Sequence, residues 1–223
     1  MMIELKNIVK SYSNERVLKD ISLKINDGEF IAIMGESGSG KSTLLSILGG
    51  FLSADEGQVL WSGKDIATLS DSEMSTLRST KLGFVFQSYK LIPTLNVNDN
   101  LLLTAHLGKK FDDSTLDYAR KLINTLKLSN TLSKYPDELS GGQAQRVAIA
   151  RALVYKPEIV ILDEPTGALD SEMKKVVMEL LSEVNKTLGT TIIQVTHSPA
   201  VASYASKTIF LKDGEIFTGG EEK

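Results

Sequence analysis

The sequence predicts an α/β fold with a mostly parallel sheet, an antiparallel N-terminal part and a helical insert. Short apolar runs of strand length alternate with helical patterns, which is typical of a parallel sheet covered on both faces. Apolar and polar residues alternate along most of the first 25 positions, which indicates antiparallel strands. From about residue 97 to 128 no strand pattern occurs, so we expect a mostly helical insert over residues 88–155.

The first elements follow from alternation and turn residues. Residues 3–10 and 16–25 alternate apolar with polar side chains and predict two strands. Asn26-Asp27-Gly28 favours a hairpin-type turn into the next strand, the wholly apolar run 30–34. Apolar residues at helical spacing then predict a helix over 42–48, which ends at two glycines.

Capping residues predict the next elements. A short strand over 57–61 is followed by Ser70-Asp71-Ser72-Glu73, which has the spacing of a capping box. We therefore expect a helix from there to Arg78. The apolar run 82–86 predicts a strand that carries Gln87 at its carboxyl end.

The second half of the chain returns to an α/β pattern. Within the insert, Asp112-Asp113-Ser114 suits the start of one helix, and another is expected from Gly142 to about Tyr155. The apolar run 159–162 predicts a strand, and residues 171–188 predict a helix that Gly189 closes. The remaining expected elements are a strand over 190–195, a short helix from Ser198, a hairpin of 207–211 with 215–218, and a frayed tail over 219–223.

The overall composition is that of an ordinary globular protein, 42% hydrophobic and 24% charged. A net charge of −3 gives no basic field of the kind that indicates nucleic acid, so we expect no nucleic-acid partner. The absence of cysteine excludes disulfides and thiolate metal sites. We find neither a signal peptide nor an apolar run of membrane-spanning length, so we expect any membrane span to come from another chain.

Gly35 to Thr43 fits the phosphate-binding pattern G-x-x-x-x-G-K-[ST] and lies between a predicted strand and a predicted helix. Its glycines allow successive N–H groups to surround an anion, and the helix dipole adds to that attraction. The alternative, a glycine-rich turn that carries Lys-Ser by chance, is weakened by the strand and helix flanks. The residues expected to bind nucleotide phosphates are Gly35, Ser37, Gly38, Ser39, Gly40, Lys41, Ser42 and Thr43.

Three further polar sites follow apolar strands: Gln87, Asp163-Glu164 and His197. Ligands of parallel sheets bind at the carboxyl ends of the strands, so these groups and the phosphate loop are expected at one edge. Asp163 and the Ser42 hydroxyl can hold Mg²⁺, and Glu164 can polarise a water for attack on a γ-phosphate. A helix-capping or turn pair is the alternative for the two acidic residues.

Leu139-Ser140-Gly141-Gly142-Gln143 lies between the phosphate loop and Asp163-Glu164 and resembles the signature of ATP-binding cassette (ABC) ATPases. The resemblance covers essentially the whole chain. It implies the ABC ATPase fold, in which a P-loop NTPase core carries an antiparallel β subdomain and a helical subdomain. It also implies one domain over 1–223, with the core in 1–87 and 156–223 and the helical subdomain in 88–155.

The resemblance also implies roles for individual residues. Tyr12 would stack on adenine, although an exposed loop tyrosine remains plausible, and Val17 would also contact the nucleotide. Gln87 would touch Mg²⁺ or the water, Glu164 would be the catalytic carboxylate, and His197 would contact the γ-phosphate. Family members pack head to tail as ATP-dependent dimers, so a second copy is the expected partner. In such a dimer, the signature segment of each copy would close the ATP site of the other. The residues expected to contribute in this way are Ser140, Gly141, Gly142, Gln143 and Asp170.

Four short segments are most similar to the MacB/LolD/FtsE group of bacterial ABC ATPases: 45–50, 83–87, 91–95 and 135–139. This similarity implies a Mg-dependent ATPase subunit that powers export through a separate integral membrane permease, at the cytoplasmic face of the membrane. An adaptor on the periplasmic or extracellular side is a further expected partner, and residues 88–110 are the expected docking surface. One alternative is an FtsE-like regulatory ATPase that transmits force without transport. A nucleic-acid or ribosome-associated ABC ATPase is less favoured.

Overall fold

A computed structural model describes residues 2–13 and 15–218, so the tail expected over 219–223 lies outside the described residues. The strands are β1 (Ile3–Tyr12), β2 (Glu15–Ile25), β3 (Phe30–Met34), β4 (Glu56–Trp61), β5 (Lys64–Asp65), β6 (Leu82–Val85), β7 (Ile159–Asp163), β8 (Thr191–Val195), β9 (Lys207–Lys212) and β10 (Glu215–Thr218). The α-helices are α1 (Lys41–Leu48), α2 (Asp71–Lys81), α3 (Val97–Leu107), α4 (Asp113–Thr125), α5 (Gly141–Leu153), α6 (Ser171–Leu188) and α7 (Pro199–Ala202).

The strands form a six-stranded sheet in the order β10-β9-β3-β8-β7-β6 and a four-stranded sheet in the order β2-β1-β4-β5. In the large sheet, the pairs from β9 across to β6 are all parallel, and β10 pairs antiparallel with β9. The small sheet is antiparallel throughout. The predicted α/β fold, with its mostly parallel sheet and antiparallel N-terminal part, is confirmed.

The turn at Asn26–Gly28 does not join a hairpin, and that prediction is wrong. The turn itself forms, because Glu29 N–H donates to the Asn26 carbonyl and the Glu29 carboxylate accepts from Asn26. However, β2 pairs with β1 in the small sheet, whereas β3 pairs with β8 and β9 in the large one. The reason is burial. One face of β2 is buried and the other is exposed, whereas both faces of β3 are apolar and buried, as is typical of a central strand in a parallel sheet.

Two hydrophobic clusters cover the two faces of the large sheet. Phe30 and Ile192 face a cluster built with α3, α4, α5 and α6. Their neighbours Ile31 and Ile193 face a second cluster, built with α1 and the small sheet. Since successive strand residues point to opposite faces, burial on both sides explains why these strands are continuous apolar runs.

The predicted helix boundaries follow capping chemistry. Ser70 and Glu73 form the expected capping box at α2, and Asp112 accepts the Thr115 N–H at the start of α4. Gly189 ends α6 in the left-handed conformation with φ of 67°. Between β6 and β7 the described structure contains α3, α4 and α5 and no strand. Within the described residues, no helix is both long and apolar enough to cross a membrane.

Candidate nucleotide-binding site

Four parallel strands deliver the predicted polar groups to one edge of the large sheet. β3, β8, β7 and β6 are neighbours, and the phosphate loop, His197, Asp163-Glu164 and Gln87 lie at or just after their carboxyl ends. These groups meet in a cleft of about 260 Å³, as the sheet topology predicted. The cleft is lined by Tyr12, Val17, Ser37, Gly38, Gly40, Lys41, Ser42, Thr43, Gln87, Asp163, Glu164, Val195 and His197.

Glycine is required at different positions of the phosphate loop for different structural reasons. Gly38 has φ of 84° and open space around it, so only its backbone conformation favours glycine. Gly40 has φ of 99°, and a Cβ there would also lie 2.8 Å from Leu18 Cδ2. A Cβ on Gly35 would lie 2.1 Å from the Leu211 carbonyl oxygen. Gly35 therefore lets the loop pack closely on β9, and it does not line the cleft itself.

Lys41 is buried at the start of α1 with its ammonium group directed back into the loop. Its Nζ donates to the carbonyl oxygens of Gly35 at 3.0 Å and Glu36 at 2.5 Å. Burial lowers the pKa of Lys41, and the nearby carboxylates of Glu164 and Asp163 oppose that shift. A partly desolvated cation held by neutral carbonyls attracts an anion strongly, so the loop fits a bound phosphate.

Glu164 carries the most unusual geometry of the cleft. Its φ is 51°, and its N–H donates to the Val195 carbonyl at 3.2 Å. Burial raises the pKa of its carboxyl group, while the nearby charges of His197 and Lys41 lower it. The Nε2 atom of His197 lies 3.2 Å from Glu164 Oε1, but this buried oxygen has no hydrogen-bond partner among the described residues. A carboxylate that lines a cleft beside a histidine is suited to accept a proton from water.

The same cleft offers three hard oxygen donors, the Ser42 hydroxyl, the Gln87 side-chain amide and the Asp163 carboxylate. Oxygen ligands of this kind suit Mg²⁺ and do not suit softer transition metals. Within the described residues, no cluster of three or more His, Cys, Asp or Glu side chains could hold a metal. The mixed set around Ser42 is therefore the candidate magnesium site.

The signature residues lie in a different place. Ser140, Gly141, Gly142 and Asp170 line a second cleft, of about 570 Å³, and do not reach the first. Gln143 lines neither cleft, because its Oε1 accepts the Ser140 N–H at 2.8 Å in a capping box at the start of α5. Ser39 also lies outside the first cleft and borders a neighbouring surface pocket.

Two positions of the site were not predicted. Val195 lines the first cleft as the last residue of β8, and its position two residues before His197 was the available signal. Arg151 is buried in α5 and donates to the carbonyls of Tyr89 and Lys90, just after Gln87. Both carbonyl residues have positive φ, 60° and 48°, so Arg151 stabilises a strained stretch. An arginine within the otherwise apolar stretch 147–153 of α5 was the signal for this contact.

Comparisons with known proteins agree with this geometry. The model of the ABC transporter family matches residues 18–167. The macrolide export ATP-binding/permease protein MacB of Pasteurella multocida is 46% identical over 96% of this chain, which spans 34% of MacB. The bacitracin export ATP-binding protein BceA of Halalkalibacterium halodurans is 40% identical over 97% of this chain and 87% of its own length. An uncharacterized ABC transporter ATP-binding protein of Methanocaldococcus jannaschii, MJ1508, is 45% identical over 96% of this chain and 97% of its own.

Solved structures extend the similarity to the whole fold. The ATP-binding cassette MJ0796, solved as a dimer in a post-hydrolysis state with ADP and Pi, has a TM-score of 0.91 and 40% identity. The alignment covers 99% of this chain and 98% of that one. The chain spans about a third of the length of the MacB relatives and nearly the full length of BceA, MJ1508 and MJ0796.

Proposed function

The chain belongs to the ABC transporter family, and on that premise we propose that it is the ATP-hydrolysing subunit of an exporter. The observation that carries this proposal is the first cleft, where the phosphate loop, Lys41, Glu164 and His197 lie together. The relatives named for macrolide and bacitracin export support the direction of transport.

ATP would bind with its phosphates in the loop between Gly35 and Thr43. The backbone N–H groups, the N-terminal end of α1 and the Lys41 ammonium would hold the negative charge. Tyr12 borders the cleft with 49% of its surface exposed, so part of its ring is accessible for stacking on adenine. Ser42, Gln87 and Asp163 would hold Mg²⁺, which when bound supplies charge neutralisation to the phosphates.

Hydrolysis would use Glu164 as the general base. The oxygen of a water attacks the γ-phosphorus, the bond from that phosphorus to the ADP oxygen breaks, and a water proton passes to the Glu164 carboxylate. The Glu164 carboxylate lines the first cleft and is the group available for that proton, and its Oε1 lies toward His197. His197, 3.2 Å from that oxygen, would contact the γ-phosphate and orient the reacting groups.

Two copies would complete each other's sites. Ser140, Gly141 and Gly142 lie at the start of α5, where unpaired N–H groups favour an anion, but they line the second cleft. In a head-to-tail dimer, the second cleft of one copy would close on the nucleotide in the first cleft of the other. MJ0796 was solved as a dimer with ADP and Pi, which supports the pairing of two copies.

Coupling to transport would use a membrane permease on a separate chain, which binds at the cytoplasmic face of the membrane. BceA is named as an export ATP-binding protein, in contrast to the ATP-binding/permease protein MacB, and that name supports a separate permease subunit. The docking surface would lie in 88–110, where Ile92 is exposed. We further propose that the permease works with an adaptor on the periplasmic or extracellular side of the membrane. Within this chain, residues 88–155 would form the helical subdomain, and 1–87 with 156–223 would form the core.

The decisive experiment is Glu164→Gln, measured against the unchanged chain and against Glu158→Gln. The unchanged chain and Glu158→Gln should hydrolyse Mg·ATP, because Glu158 is an exposed residue paired with Lys81. Glu164→Gln should bind Mg·ATP, lose turnover and remain a dimer in analytical ultracentrifugation. Normal hydrolysis by Glu164→Gln would disprove the catalytic assignment, and no hydrolysis by the unchanged chain would disprove the function.

A further inference from the structure

Gln145 is a buried amide near the start of α5. Only 1% of its surface is exposed, and it lines neither the first cleft nor the second. Its Nε2 donates to the Glu164 carbonyl oxygen at 2.7 Å, and its Oε1 accepts the Ala168 N–H at 3.0 Å. One side chain thus fixes both ends of the loop over 164–168.

That loop begins at a backbone conformation that needs support. Glu164 has φ of 51°, which a residue with a side chain rarely adopts. Its carbonyl oxygen accepts the Gly167 N–H at 3.2 Å as well as the Gln145 amide. The bond from Gln145 restrains the peptide group that follows the Glu164 Cα, so it bears on where that residue and its carboxylate lie.

The start of α5 rests on the same loop. A Cβ on Gly142 would lie 2.9 Å from the Ala168 carbonyl oxygen, so the helix approaches the loop as closely as only glycine allows. Gln145 follows Gly142 by three residues in the same helix. The amide therefore lies between the residues that line the second cleft and the carboxylate of the first.

We infer that Gln145 is a positioning residue, which holds the Glu164 carboxylate in place and ties it to this chain's own signature helix. It acts through the backbone of residues 164–168 and touches no substrate. The inference deepens the proposed function and depends on it only for the kinetic part of its test. Removal of the amide should lower kcat and leave the KM for Mg·ATP nearly unchanged.

The kinetic test compares Gln145→Met, Gln145→Glu and the control Tyr155→Phe. Gln145→Met keeps the volume and removes both hydrogen bonds, so kcat should fall about tenfold with less than about a twofold change in KM. Tyr155→Phe removes the buried hydrogen bond from the Tyr155 hydroxyl to the Leu82 carbonyl, away from the loop, and should keep kcat. An unchanged kcat in Gln145→Met, a loss expressed mainly in KM, or an equal loss in Tyr155→Phe would overturn the inference.

Gln145→Glu adds a readout that a purely structural role would not produce. The ionised carboxylate still accepts the Ala168 N–H but cannot donate to the Glu164 carbonyl, whereas the protonated acid can do both. The kcat of this variant relative to the unchanged chain should therefore rise as the pH falls, and the same ratio for Gln145→Met should stay flat. Parallel pH profiles for the two variants would contradict the inference.

Hydrogen exchange tests the same contact without any catalysis. In the nucleotide-free protein, the Ala168 amide should exchange faster in Gln145→Met than in the unchanged chain or in Tyr155→Phe. Equal exchange at Ala168 would overturn the inference even if the kinetics agree. If the unchanged chain does not hydrolyse ATP, the proposed function fails, and this measurement still decides whether Gln145 holds the loop.

Discussion

Glu164 is the residue whose environment makes the clearest pH prediction. Burial raises the pKa of its carboxyl group, and a general base must be ionised to accept a proton. As the pH is lowered, the rate of ATP hydrolysis should therefore begin to fall at a higher pH than it would if the general base were a glutamate of ordinary pKa. A pH profile of kcat/KM measures this acid limb. An acid limb at or below the ordinary value of about 4.5 would contradict it.

The same shift has a consequence for stability. A carboxyl group with a raised pKa in the folded state favours folding at low pH, and that contribution is lost as the pH rises through the folded-state pKa. Glu164→Gln, which cannot ionise, should therefore resist urea better than the unchanged chain at neutral pH. Below the unfolded pKa of about 4.5 the difference should shrink. If Glu164→Gln is less stable than the unchanged chain at neutral pH, the prediction is wrong, and the charges of His197 and Lys41 outweigh the cost of burying the Glu164 carboxylate.

Sequence reasoning at this scale found residues that carry their own chemistry. Lys41, Asp163, Glu164 and His197 were predicted because each is a polar group placed directly after an apolar strand or within a known loop pattern. Gln145 was missed, because its role depends on the backbone of a loop 19 residues further along the chain. A partner of that kind leaves no local pattern in the sequence.

At the scale of the phosphate loop and α1, two glycines allow a matched comparison. Alanine at Gly38 would add only backbone strain, since no atom lies within 4 Å of the new Cβ. Alanine at Gly40 would add similar strain and also approach Val17 O at 2.9 Å and Leu18 Cδ2 at 2.8 Å. We expect Gly40→Ala to lose about 1–3 kcal/mol more unfolding free energy than Gly38→Ala. Urea unfolding measures this difference. Equal losses of unfolding free energy in the two variants would contradict the prediction and would mean that Val17 and Leu18 of β2 shift to make room for the new Cβ.

The segment before α3 depends on one buried amide. Asn100 accepts the Ile92 N–H at 2.7 Å through Oδ1 and donates to the carbonyls of Ile92 and Leu95 through Nδ2. Asn100→Ala should lower the free energy of unfolding by about 2 kcal/mol, because buried polar groups lose their partner. Asn98→Ala, which removes one weak contact to Asp99, is the control and should change little. Similar losses in the two variants would contradict the structural role of Asn100.

Most elements could be predicted because their signals are local. The capping box at Ser70 and the glycine end at Gly189 set helix boundaries within a few residues of the chain. The turn at Asn26–Gly28 shows the limit of that approach. Turn residues determine that the chain reverses, but pairing partners depend on burial across the sheet, and β3 is buried on both faces. The start of α2 and the end of α6 were therefore predicted correctly, and this strand pairing was not.

At the scale of the whole molecule, the two clefts divide the chemistry between different parts of one chain. The first cleft holds Lys41 and Glu164, and the second holds Gly141 at the start of α5. If each ATP needs both, a lesion in one cleft should disable one half-site and leave the other usable. Two chains with lesions in different clefts can then form one complete site between them.

This predicts complementation between Lys41→Ala and Gly141→Glu. The first variant loses the cation of the first cleft, and the second places a negative charge where a phosphate would approach. Alone, each should be nearly inactive, because every composite site contains one damaged half. In an equal mixture, half of the dimers pair unlike chains and have one intact site of two, so about a quarter of the unchanged rate should return.

The matched control mixes Lys41→Ala with Glu164→Gln, whose lesions both lie in the first cleft. No pairing of these two chains contains an intact site, so this mixture should stay inactive in the same ATPase assay. Recovery in the first mixture alone requires that the phosphate loop and the signature serving one ATP come from different chains. Recovery in neither mixture would contradict the head-to-tail arrangement, and both clefts would then act within a single chain.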